Sequence, residues 1–149
     1  MDKISSTLVG VAGEYYAAAE LTRRGVNASI TLRNTESYDI IASNPKNGKI
    51  FNIQVKTTTN KNNSWILNEK SEKNAAKNFY YILVKLNNDN KRPNFFIAPS
   101  KKVAEYISND HREWMSGLKR DGTPRKDGTI RKFRDFKNKY LERWKYFLR

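Results

Sequence analysis

Phe79-Tyr80-Tyr81-Ile82-Leu83-Val84 is a run of apolar residues with no polar face to offer to solvent. Because a strand sends successive side chains to opposite faces, a run of this kind has to be covered on both. It is therefore expected at the centre of a sheet, with the rest of the chain supplying the layers around it.

The segments before it read as one helix and three strands. From Ser6 or Thr7 to about Arg24 the pattern is helical. A hydroxyl stands at the N-cap, apolar residues recur at Leu8, Val11, Ala12, Tyr15, Ala18 and Ala19, and Gly25 serves as the stop. Gly10, Gly13 and the run Ala17 to Ala19 leave this helix thin on one side, which permits close packing on a sheet, and Glu14 sits among them. Ala28 to Arg33 is an alternating, β-branched strand that leads through Asn34 to Ser37 into Tyr38-Asp39-Ile40-Ile41-Ala42. Asn47-Gly48 supplies a tight turn, and Ile50 to Lys56 returns as the second arm of a hairpin. Pairing Lys46 with Lys49 sets Ile41 opposite Gln54 and Asp39 opposite Lys56. Asn52, Gln54 and Lys56 then share a polar face, while Phe51, Ile53 and Val55 point into the core.

Beyond the hairpin come a polar stretch (57–64), Trp65-Ile66-Leu67, and a short helix from Ser71 to Asn78. After the central strand, a further strand is expected over Asn94 to Ala98 and a helix from Lys101 to about Ser108. Gly117 to Asp135 reads as a long basic loop, and Phe136 to Leu148 as a closing amphipathic helix with Tyr140, Trp144 and Phe147 on one side. The order α-β-β-β-α-β-β-α-α describes one α/β domain over residues 1–149 around a mixed sheet. Its core lies at about 6–86, and a basic C-terminal extension at about 100–149.

Composition narrows the function. A chain of 149 residues buries enough surface to fold without staples. With no cysteine, it has no disulfide, no thiolate zinc site and no cysteine nucleophile. No run reaches the length of a membrane span and the N-terminus lacks a signal-like apolar core, so a cytoplasmic protein without membrane contact is expected. The formal charge of +14 points to a polyanionic partner, nucleic acid above all. Residues 111–149 alone carry 13 basic and 5 acidic residues. His111 is the only histidine, which leaves no motif for a Ser-His-Asp triad, and no glycine-rich phosphate loop is present.

Glu14 on the first helix, Asp39 on a strand and Gln54-Val55-Lys56 on the next resemble the PD-(D/E)XK nuclease superfamily, in the variant with glutamine in place of the acid of E-x-K. The resemblance implies a restriction-endonuclease-like αβββαβ core, matched here by residues 6 to 86, and Mg²⁺-dependent hydrolysis of DNA phosphodiester bonds, with Mn²⁺ as a substitute. On that basis Glu14, Asp39, Gln54 and Lys56 form the catalytic set. Mg²⁺ takes oxygen ligands, which Glu14, Asp39 and the Val55 carbonyl can supply, while Lys56 assists the attacking water. Tyr38 stands where the superfamily has proline, and Gln54 binds a cation less strongly than a carboxylate does. The alternative is a module of the same fold that binds nucleic acid or a protein partner without cutting. Enzymes of this fold often act as homodimers because two strands must be cut, so a homodimer is a further expectation.

Overall fold

The computed structural model describes residues 3–32, 38–88 and 90–149. Helix α1, Ser6–Arg23, is capped by Ser5, whose hydroxyl accepts the Leu8 N–H at 3.3 Å, and it ends before Gly25 at φ 82°. The cap is one residue earlier than the sequence suggests. Strands β1 (Asn27–Ile30), β2 (Ile40–Ser43), β3 (Ile50–Thr58), β5 (Phe79–Lys85) and β6 (Asn94–Pro99) form a mixed sheet in the order β1-β2-β3-β5-β6. The expected end of the first strand at Arg33 and the Asn34 to Ser37 link lie outside the described residues. The apolar run is β5, set between β3, to which it is parallel, and β6, to which it is antiparallel.

Both faces of β5 are covered, as its composition requires. On one side α1 and the end of the chain enclose Ile53, Val55, Ile82, Val84, Phe95 and Phe147. On the other, helix α2 (Ser100–Ser116) and a ribbon of β4 (Ser64–Asn68) and β7 (Ile130–Arg134) enclose Trp65, Tyr81, Leu83, Phe96, Ile107 and Phe133. The face of α1 that packs is Gly13, Ala17, Glu20 and Leu21, whereas Leu8 and Tyr15 of the expected apolar set are 58% and 64% exposed.

Several expectations are corrected. The short helix before β5 is a single 3-10 turn, Glu69–Glu72. Helix α2 runs eight residues past Ser108, to Ser116. The basic loop contains β7, whose buried Phe133 pairs with Trp65 of β4. Residues 136–148 do not make one helix, since only α3, Lys145–Leu148, is helical. The reason is the route of the chain. Ile97 N–H bonds the Tyr140 carbonyl and Glu142 N–H bonds the Phe95 carbonyl, so this segment runs along the outer edge of β6 and crosses from one face of the sheet to the other. Tyr140 packs with the α2 layer, while Trp144 and Phe147 are buried in the α1 layer. A continuous helix could not satisfy the open β6 edge and fill both layers.

The crossing is fastened by charge. Glu20, buried on α1, takes hydrogen bonds from Arg24 and Arg92, and Arg92 also grips Glu142. Trp144 donates its indole N–H to Glu142 and receives the Arg24 guanidinium on its ring at 4.3 Å. Burial alone would raise the Glu20 pKa, but the two arginines outweigh it and bring it from 4.5 to about 2. A carboxylate with a lowered pKa contributes stability that is complete above pH 4.5 and is lost as the pH falls toward about 2. Glu20→Gln is therefore expected to cost about 1–2 kcal/mol at neutral pH, the arginines being part-exposed. In urea melts across that acidic window, the gap between variant and wild type should close.

Candidate active site

The hairpin is built differently at its turn from the sequence expectation. Asn44 N–H bonds the Lys49 carbonyl at 2.9 Å, so Pro45 to Gly48 form a four-residue loop in which Gly48, but not Asn47, has positive φ. Asn44 is buried, its side chain accepting from Lys46 N–H at 2.9 Å and donating to the Phe147 carbonyl at 3.0 Å. The register becomes Ile40 with Ile53 and Ile41 with Asn52. Continued by one residue it sets Asp39 against Gln54, not Lys56. A shift of two keeps Gln54 and Lys56 together on one face of β3, beside Tyr81 and Leu83 of β5, but the alternation does not carry through to Asp39, since Tyr38 packs in the α2-side cluster and Ile40 in the α1-side one.

At Asp39 the ladder is interrupted. Its N–H bonds the Ile53 carbonyl, and its carboxylate turns to accept the Val55 N–H at 2.7 Å. The N–H and C=O of one residue lie on the same side of an extended strand, so the Val55 carbonyl faces the space beside Asp39. Burial pushes the Asp39 pKa up, against the opposing effects of the Val55 N–H and the Lys56 charge. Burial outweighs what the Val55 N–H and the nearby ammonium give back to this carboxylate.

Glu14, on α1, reaches the space beside Asp39. Where α1 crosses β3, a Cβ on Gly13 would stand 1.8 Å from Thr57 Oγ1, so only glycine allows the helix backbone this close. The next residue, Glu14, lines a cleft of about 280 Å³ together with Asp39. Thr7 and Gly10 of α1 and Tyr38 before β2 are among the residues of its walls. Gln54, Val55 and Lys56 lie behind Asp39 on β3 rather than in the cleft wall. Tyr38 packs edge-on against Phe79 at 5.0 Å, which fixes the chain just before Asp39. Nothing in the sequence singles out Thr7 as a cleft residue, since only the crossing of α1 over the end of β2 brings it there. Thr57 and Thr58 are turned inward at the end of β3, the first beneath α1, and only Thr59 is exposed.

Trp65 and Trp144 are core residues, as aromatics at such positions usually are, while Trp114 is half-exposed on α2. His111, also on α2, pairs with Asp127 at 2.8 Å and takes no part in the cleft. Among the described residues, no group of three or more His, Cys, Asp or Glu side chains could hold a metal ion, which leaves two carboxylates as the acidic content of the cleft. No helix among them is long and apolar enough to cross a membrane.

A solved structure, that of the bacterial homing endonuclease I-Ssp6803I, matches over 98% of this chain and 93% of its own, with a TM-score of 0.56 and 14% sequence identity. The fold is nuclease-like. At that identity the likeness is one of architecture, covering the basic C-terminal half as well as the core. No family model matches the sequence, and no curated protein matches it significantly.

Two outcomes follow from the geometry. Gly13→Ala should destabilise by about 1–3 kcal/mol through overpacking, although alanine is the better helix former by ~1 kcal/mol, and denaturant melts will read the sign. For Asp39 the raised pKa works the other way from Glu20: the protonated form is favoured in the folded state, so stability declines as the pH rises from 3.8 through the elevated value. Metal-free Asp39→Asn should therefore melt ~2 °C above the wild type at neutral pH, with the difference vanishing in acid.

Proposed function

We propose that this protein is a metal-dependent endonuclease of the PD-(D/E)XK kind that hydrolyses DNA phosphodiester bonds. The observation that carries the reading is the convergence of Glu14 from helix α1 and Asp39 from the chain leading into β2 on one cleft beside the Lys56-bearing strand. The fold it shares with a bacterial homing endonuclease supports the same class of substrate.

The donors suit a hard divalent cation. Two carboxylates and a backbone carbonyl are all oxygen, and the elevated pKa of Asp39 marks a buried negative charge that a cation would relieve. Glu14, Asp39 and the Val55 carbonyl would hold Mg²⁺, or Mn²⁺ in its place. When bound, the ion supplies positive charge to the scissile phosphate and lowers the pKa of a coordinated water. The residues of the chain do the rest. Asp39 is aimed by the Val55 N–H, which leaves its other oxygen for the cleft. Lys56, whose charge acts on Asp39, orients the attacking water and stabilises the negative charge that develops on the phosphate oxygens. Gln54, two residues before Lys56 on β3, contributes a neutral amide that orients without adding charge. The cationic surface, concentrated in residues 57–149 with 22 basic against 10 acidic side chains, holds the DNA backbone. Cutting two strands calls for two such sites, hence a homodimer, in the cytoplasm.

A second reading, a binding module without cleavage, is favoured by Gln54 and by the limit of two carboxylates in the cleft. A cleavage panel of duplex, branched and single-stranded DNA with Mg²⁺ or Mn²⁺ separates the two. Cutting is expected, with a loss of about 100-fold or more in Asp39→Ala and Lys56→Ala. Activity that survives both substitutions overturns the assignment, and tight binding with no cleavage of any substrate establishes the module. Independently of turnover, millimolar Mg²⁺ should raise the melting temperature of the wild type and not that of Asp39→Asn, since a ligand stabilises only the fold that binds it.

A further inference from the structure

Helix α2 and strand β7 enclose a second cleft, of about 450 Å³, made of residues that play no part in the Glu14–Asp39 centre. Its apolar wall is the indole of Trp114 and the side chain of Ile130, which are 46% and 60% exposed. Along β7 the side chains alternate, so Ile130, Lys132 and Arg134 face outward while Arg131 and Phe133 are buried. Two of the arginines are already committed: Arg131 to Glu72, and Arg134 to Asp110 at 2.7 Å. These pairs hold the walls in place. Lys126 and Lys132 also line the cleft, are exposed, and form no salt bridge among the described residues.

The indole is set with care. Arg125 lies 4.9 Å from the ring centroid and donates to the Trp114 carbonyl, and His111 stacks at 5.8 Å while reaching Asp127. Gly117 makes room for that guanidinium, because a Cβ there would stand 2.8 Å from Arg125 Nη1. A half-exposed tryptophan kept in one position by an arginine, a histidine and a glycine, with two unneutralised lysines beside it, combines a flat apolar surface with phosphate-binding charge.

We propose that this cleft seats one unstacked nucleotide of a single-stranded nucleic-acid segment, the base against Trp114 and Ile130 and its flanking phosphates on Lys126 and Lys132. A free phosphate would need the lysines but not the apolar wall. A paired base in a duplex presents only its edges and could not enter a concave site of this kind, whereas an unstacked base offers its whole face. The inference rests on the nucleic-acid part of the reading above and is independent of cleavage.

The protein carries its own reporter, because Trp65 and Trp144 are buried at 1% and 4% exposure and only Trp114 is open to a ligand. The test is tryptophan fluorescence of the whole chain in EDTA, titrated with a short oligothymidylate, an abasic oligonucleotide of equal length, and inorganic phosphate. Oligothymidylate should quench or shift the emission saturably, the abasic strand should bind at least tenfold more weakly, and phosphate should have no effect. Trp114→Phe should abolish the signal. Lys126→Ala with Lys132→Ala should weaken binding at least tenfold and flatten its dependence on salt by about 1.4 in log–log slope, two single-strand phosphate contacts' worth. Oligothymidylate binding that leaves the emission unchanged overturns the proposal, as does an abasic strand that responds equally. Running the titration on Asp39→Ala keeps the two readings apart, since a nuclease centre that fails leaves this response standing and a silent cleft leaves cleavage untouched.

Discussion

The arrangement depends on one close approach, the crossing of α1 over β3 at Gly13 and Thr57. A side chain at residue 13 would lift the helix from the sheet by the thickness of a methyl group. With glycine there, the following turns can lay Ala17 and Leu21 on Ile53 and Val55, and Glu20 can reach Arg92 across the domain. The same contact decides where Glu14 goes. One residue beyond the crossing, it is carried to the rim where β2 and β3 part, instead of to the outer helix face where Tyr15 and Tyr16 stand exposed. Packing and chemistry are therefore set by the same missing Cβ.

How much of this can be read from the sequence differs between faces and positions. The alternation of β3 shows which residues share a side, and that part is robust, because the period of two survives any even shift. What faces what is less secure. The Asn47-Gly48 pair suggests a two-residue turn, yet the loop is closed by Asn44, whose buried amide answers to the carbonyl of Phe147, 103 residues away. A turn type chosen by so distant a partner leaves no mark in the local sequence. The shared face of Gln54 and Lys56 stands for that reason, while the opposition of Asp39 to Lys56 does not, and the alternation of the first arm breaks between Tyr38 and Ile40, on either side of Asp39.

The C-terminal half was less legible for a related reason. Tyr140, Trp144 and Phe147 have helical spacing, but they serve two different layers, and the chain between them spends its backbone groups on the edge of β6. In β7 the two apolar residues, Ile130 and Phe133, stand three apart among three basic ones, so no period of two shows in this charged stretch, and only the register with Trp65 and Ile66 reveals it as a strand. Periodicity identifies the apolar positions correctly and misassigns the element when the partner is an open strand edge.

Gln54 changes the energetics of the candidate centre in two opposing directions. Glu14, Asp39 and Lys56 leave one net negative charge, and burial already holds Asp39 above its ordinary pKa. A third carboxylate on β3 would add like charge beside a group that is poorly compensated, raising the cost of the metal-free fold and driving one of the acids toward its neutral form. Glutamine avoids that repulsion and weakens the grip on a cation by removing one anionic ligand. The trade is favourable only where the substrate itself supplies negative charge, since phosphate oxygens can complete the ligand set that the protein leaves short. On that reasoning the cation and the nucleic acid should bind with positive coupling, each raising the affinity of the other by the same factor, as thermodynamic linkage requires. A site with three carboxylates would take its cation alone, and one with Glu14 and Asp39 gains most from taking it together with a phosphodiester.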